Sequence, residues 1–89
     1  MTDATLTDAR EAIDQVDREL LDAFNRRLDL VRNLHRHKVE TGLPLRDPGR
    51  EEGMIESLKD ANGGSLSPAG VESFFGHILE LTRSELHGE

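Results

Sequence analysis

From Thr5 to Thr41 the chain contains neither glycine nor proline, and a run of that length without a breaker can be ordered in only one way. Its apolar residues recur every seventh position through Leu6, Ile13, Leu20 and Leu34. A second line passes through Val16, Ala23 and Leu30, and a third through Phe24 and Val31. This is the spacing of a helix that buries a seam, not of a strand. Charge interrupts the pattern. Arg27 stands between Leu20 and Leu34, while Arg10, Asp17 and Lys38 lie on the line of Phe24 and Val31.

The helix is expected to start near Thr5 or Thr7 and to stop at Gly42, with Pro44 barring continuation. About 35 residues rising 1.5 Å each make a rod of roughly 50 Å. A compact chain of this length has a radius of gyration of only about 12 Å. The rod therefore calls for a second chain to cover its seam, and an intertwined homodimer is expected. Residues 42–47 form a connector whose Leu43 and Leu45 are expected to tuck against the bundle. Asp47 followed by Pro48 reads as the cap and first residue of a second helix over about 48–61, with Met54, Ile55 and Leu58 as its buried stripe. Ser67 and Pro68 repeat the signal for a third helix over about 68–86, which carries Val71, Phe74, Phe75, Ile78, Leu79 and Thr82 at helical spacing. The last residues, His87 to Glu89, are expected to fray. The fold expected is all-α, three helices per chain, with residues 1–89 as a single domain and six helices in the dimer.

Composition narrows the function. Eighteen acidic residues against 11 basic ones leave a net charge of -7, which repels phosphate backbones and argues against nucleic acid or an anionic membrane as partner. With no cysteine there is no thiol chemistry, disulfide or Cys-based zinc site. The N-terminal residues lack the basic and apolar regions of a signal peptide, and no run approaches a membrane span. A cytoplasmic, soluble protein is expected.

In so acidic a chain the basic residues of the long helix stand out. Arg27 and Lys38 are 11 positions apart, which returns them to nearly one face about 16 Å apart. Leaning together, the two could clasp a small anion. Arg10 is about 25 Å from Arg27 along the rod, too far to join within one chain but able to reach the site of an antiparallel partner. Each taken alone is more often a surface charge that snorkels to water. Three in a seam imply internal carboxylates or an anionic ligand, because buried guanidinium groups without partners are costly. Asp47, Arg50 and Glu51 share a face at the start of the second helix, where the plain reading is a cap and a solvated ion pair. His35 and His37 point to opposite sides of a helix, so no metal site is expected.

The stretches AREAIDQVDRELL, RRLDLVRNLHRHK and GLPLRDPGREEGMIESL together resemble the all-helical, type II chorismate mutase family, across nearly the whole chain. The resemblance implies an intertwined helical dimer that rearranges chorismate to prephenate in aromatic amino acid biosynthesis, with no cofactor and no metal. It assigns Arg27, and Arg10 of the other subunit, to the substrate carboxylates and Lys38 to the ether oxygen. Asp47 and Glu51 fall at the substrate hydroxyl region, Arg50 in support, and Thr82 near a carboxylate. Catalysis would rest on Lys38, Arg27 and Glu51.

One position departs from the family pattern. Leu86 stands where Gln or Glu commonly supplies a second donor to the ether oxygen, and the neighbouring Glu85 is on the wrong face of a regular helix. Three alternatives follow: the same fold acting on 4-amino-4-deoxychorismate, acting on isochorismate, or serving as a non-catalytic dimerisation or regulatory module. The departure also leaves room for an activating shikimate-pathway enzyme as partner.

Overall fold

The computed structural model describes residues 2–87, which form three α-helices and, among the described residues, no strand. Helix α1 spans Thr2–Thr41, α2 Pro48–Ala61 and α3 Pro68–His87. The chain divides into two units, one ending at His37 and the other starting at Lys38.

The first unit is a single helix. It begins at Thr2 rather than at Thr5 or Thr7, because nothing in the residues between opposes helix and Asp3 places negative charge in the first turn. Its seam, Leu6, Ile13, Val16, Leu20, Leu30 and Leu34, is about half exposed or more at every position. The better covered residues, Phe24, Arg27, Leu28, Val31, Arg32 and His35, centre on the adjacent face, and among them only Leu28 is buried. Positions 27 and 28 differ by about 100° around the axis. Of the lines that the sequence pattern picks out, the one through Phe24 and Val31 is the better covered, and the one through Leu6, Ile13, Leu20 and Leu34 is bare.

In the second unit α1 ends where the sequence says it must. Gly42 adopts φ 71°, the left-handed conformation that glycine enters without penalty. The Leu43 N–H then donates to the Lys38 carbonyl at 2.9 Å and the Gly42 N–H to the Val39 carbonyl at 3.4 Å, the paired bonds of a Schellman end. The connector stays on the surface. Leu43 and Leu45, expected to be tucked in, are each about half exposed, since the backbone of Leu43 is committed to closing the helix and the connector runs along the outside.

Helices α2 and α3 pack against each other as an antiparallel pair. Asp47 Oδ1 accepts the Arg50 N–H at 3.0 Å and Pro48 opens α2. Between the helices Asn62 stitches the turn, its Nδ2 donating to the Leu66 carbonyl and its Oδ1 accepting from Gly64 N. Ser67 Oγ caps α3 by accepting the Gly70 N–H at 3.0 Å. Leu66 then folds over Gly70, where a Cβ would meet Leu66 Cδ1 at 2.6 Å.

The interior of the pair is shallow. Val71 and Thr82 are buried, while Met54, Ile55, Leu58, Phe75, Ile78 and Leu79 are half-buried. No residue of α2 reaches full burial, because two helices can cover each other on one side only. The expected stripe is present but half-covered, and Phe74, edge-on to Phe75, remains exposed. His87 is still helical, and the rest of the expected frayed end, Gly88 and Glu89, lies outside the described residues. No described helix is long and apolar enough to cross a membrane.

Candidate functional site

Two ion pairs tie α2 to α3, one near each end. At the α2 C-terminus Lys59 Nζ meets Glu72 Oε2 at 2.8 Å and Glu56 Oε1 at 3.2 Å. The hydrogen bond from Lys59 holds the Glu72 carboxyl below its ordinary value, and the same contact raises Lys59. This cluster staples the turn between the helices.

The opposite end concerns the candidate residues. Glu51, in the first turn of α2, accepts from Arg83 Nη1 through Oε2 at 2.8 Å, across to the far end of α3. Its other oxygen, Oε1, faces Arg46 Nε at the looser distance of 3.5 Å. The Glu51 side chain is 23% exposed, Arg83 43% and Arg46 65%. One carboxylate thus sits between two guanidinium groups. An ionised carboxylate offers about four lone-pair directions, so Glu51 keeps room to accept from a ligand.

Neither arginine is singled out by the sequence pattern. Arg46 was legible as a neighbour of Asp47, but Arg83 lies 32 positions from Glu51, and only the register of the two helices unites them. Thr82, beside Arg83, is buried, and its hydroxyl donates to the Ile78 carbonyl at 2.6 Å, the back-bond common for threonine within helices. Leu86 is half-buried and Glu85 exposed. The Glu85 carboxylate thus faces solvent, on a different side of α3 from Leu86.

Several basic side chains, Arg18, Arg26 and Arg36 among them, make no ion pair with another described residue. Lys38, half-buried in the last turn of α1, makes no ion pair with another described residue, and neither does the exposed Arg10 or the side chain of Arg50. Arg50 contributes its backbone N–H to the Asp47 cap, while its guanidinium is exposed. Arg27 is half-buried. Arg10 and Arg27 belong to the first unit, whereas Lys38, Asp47, Arg50, Glu51, Thr82, Glu85 and Leu86 belong to the second. In a chain with 18 acidic residues, cations left without carboxylates are a charge arrangement that suits an anion.

Comparison with known proteins places the chain in a family. A T-protein of Enterobacter agglomerans is 36% identical over 77 residues, covering 85% of this chain but 21% of the relative, so the chain spans about a fifth of that protein. An isochorismate pyruvate lyase of Pseudomonas aeruginosa is 36% identical over 76 residues, covering 83% of the chain and 73% of the lyase. Among solved structures, a chorismate mutase from Thermus thermophilus superposes with a TM-score of 0.84 at 32% identity, covering 86% of this chain and 96% of that one. The family model described as chorismate mutase type II matches residues 9–86. With three helices and a family match over residues 9–86, the chain belongs to the type II chorismate mutase family.

Proposed function

We propose that the chain is a chorismate mutase, a single helical domain working as a homodimer that converts chorismate to prephenate for aromatic amino acid synthesis. The observation that carries this reading is Lys38, half-buried yet without an ion pair to another described residue of an acidic chain. A dicarboxylate supplies the missing counter-charge.

The reaction is pericyclic, so the protein need neither move a proton nor form a covalent bond. Its work is to hold a flexible dianion in the reactive chair and to stabilise negative charge growing on the ether oxygen. Arg27 and the Arg10 of the other subunit orient the carboxylates through planar forks, while Lys38 brings a compact charge to the ether oxygen. Asp47 and Glu51 face the substrate hydroxyl, and Arg50 adds positive potential. Thr82 serves a carboxylate only by turning its hydroxyl away from the Ile78 carbonyl. Leu86 leaves the ether oxygen one donor short, a loss that typically costs about 100- to 1,000-fold in rate. A docked shikimate-pathway enzyme in the cytoplasm is the partner that would restore it.

Spectroscopic assay of purified protein with chorismate, alongside isochorismate and 4-amino-4-deoxychorismate, tests the reading. Faster turnover of chorismate is expected, and an unchanged chorismate spectrum would remove the proposal. The likeness to an isochorismate pyruvate lyase supports a second reading, in which pyruvate elimination from isochorismate dominates. Calorimetry separates both from a non-catalytic dimerisation module, which would show no saturable binding of any of the three.

A further inference from the structure

The arrangement at Glu51 bears on which substrate the site accepts. Resting on the reading that Glu51 faces the substrate hydroxyl, we propose that Arg46, Glu51 and Arg83 form a charge filter that admits a neutral hydroxyl at that position and disfavours an ammonium. A lone carboxylate would do the reverse, since an ammonium hydrogen bond to it is charge-assisted. Glu51 is not alone. Arg83 holds Oε2 at 2.8 Å and Arg46 stands 3.5 Å from Oε1, so three ionised groups sum to one net positive charge, a sum that Asp47 and Arg50, one charge of each sign, leave unchanged.

The two oxygens are unequally engaged. Oε2 is anchored across the helix pair by a short, charge-assisted bond, which fixes the carboxylate's orientation. Oε1 meets only the looser contact from Arg46, a largely exposed side chain on the connector. Oε1 is therefore the oxygen offered to a ligand. A hydroxyl can donate to it without bringing charge, whereas an ammonium must approach two guanidinium groups paired with the same carboxylate. Like-charge juxtaposition of this kind is a recurrent means of rejecting a wrong partner. Arg83 and Arg46 thus act as specificity-determining and positioning residues through Glu51.

The test compares kcat/KM for 4-amino-4-deoxychorismate and for chorismate in wild type, Arg46→Gln, Arg83→Gln and the double variant. Wild type is expected to favour chorismate. The ratio of amino to hydroxy substrate should rise about tenfold with each arginine removed, the scale of one unit-charge repulsion across a few ångström in a partly hydrated site. A general loss of packing lowers both rates and leaves the ratio unmoved. Arg83→Lys, which keeps the charge, should restore the wild-type ratio. If Arg83→Gln does not fold, Arg46→Gln still decides, because Arg46 is exposed and its ion pair is the one with Glu51. A folded, active double variant with the wild-type ratio overturns the filter while leaving the mutase reading intact. Wild-type protein that turns over neither substrate removes the reading and the filter together.

Discussion

Substituting Ile13 by alanine should weaken the dimer by an amount that the structure sets. Ile13 lies on the bare seam of α1 and is 59% exposed, so that fraction is what a second chain can still cover. The change removes three carbons, worth about 0.8 kcal/mol each when fully buried. Scaled by the exposed fraction, the loss is about 1.4 kcal/mol per copy. A two-fold interface contains the residue twice, giving about 2.8 kcal/mol, or a roughly 100-fold rise in the dimer dissociation constant. Sedimentation equilibrium across nanomolar to micromolar loading reads this directly. Asp22→Ala, on the polar side of the same helix, should leave the constant where it is. The reasoning is refuted if wild type stays monomeric at every loading, or if Ile13→Ala falls within about twofold of wild type.

Mixing two variants tests the sharing of sites: Arg10→Ala and Arg27→Ala should each be nearly inactive, yet a refolded equimolar mixture should recover roughly a quarter of wild-type activity, because half the dimers carry one intact site. No recovery would mean that each chain supplies both arginines to its own site. Lys38→Ala should lower kcat by about 100- to 1,000-fold with little change in thermal stability, since Lys38 makes no ion pair with another described residue; equal loss of both would mark it as structural. Leu86→Gln should raise kcat by about tenfold or more, and an unchanged rate would show that the ether oxygen is not near position 86. The Glu72 carboxyl is held below its ordinary value by Lys59, so its contribution to stability is present at neutral pH and is lost as pH falls through the folded-state value. Melting curves across the acid range should therefore show Glu72→Gln converging with wild type at low pH, and parallel curves would count against the pair.

What could be read from the sequence is what short-range chemistry fixes. Gly42 ends α1, Asp47 with Pro48 opens α2 and Ser67 with Pro68 opens α3, each through bonds between residues three to five apart. The start of α1 was less legible, because a helix without an opposing residue can extend past a good cap. Leu28 lies off the three apolar lines of the heptad pattern, and its burial depends on what covers that side of the helix, which spacing alone does not say. Leu43 and Leu45 look like core residues in a list of hydrophobics, yet their exposure follows from the backbone path of the connector. Arg83 was out of reach for a different reason. Its bond to Glu51 spans 32 positions, and a shift of one residue in the packing of α2 on α3 would turn it away. Lys38 and Arg10 stand out as candidates because positive charge along the seam of an acidic chain is anomalous, whereas Arg50 enters only through the family resemblance.

The end of α1 carries one more consequence. A Cβ built at Gly42 meets nothing within 4 Å, yet the residue sits at φ 71°. Bulk is therefore not what position 42 excludes. Handedness is the constraint, since the left-handed region is costly for an L-amino acid and natural for its mirror image. Because the Lys38 carbonyl is tied into that turn, the stereochemistry of a single α-carbon helps fix the backbone from which the lysine extends. Drift in the connector is free to alter side chains at 43–45, but at 42 the genetic code offers glycine as the one achiral choice.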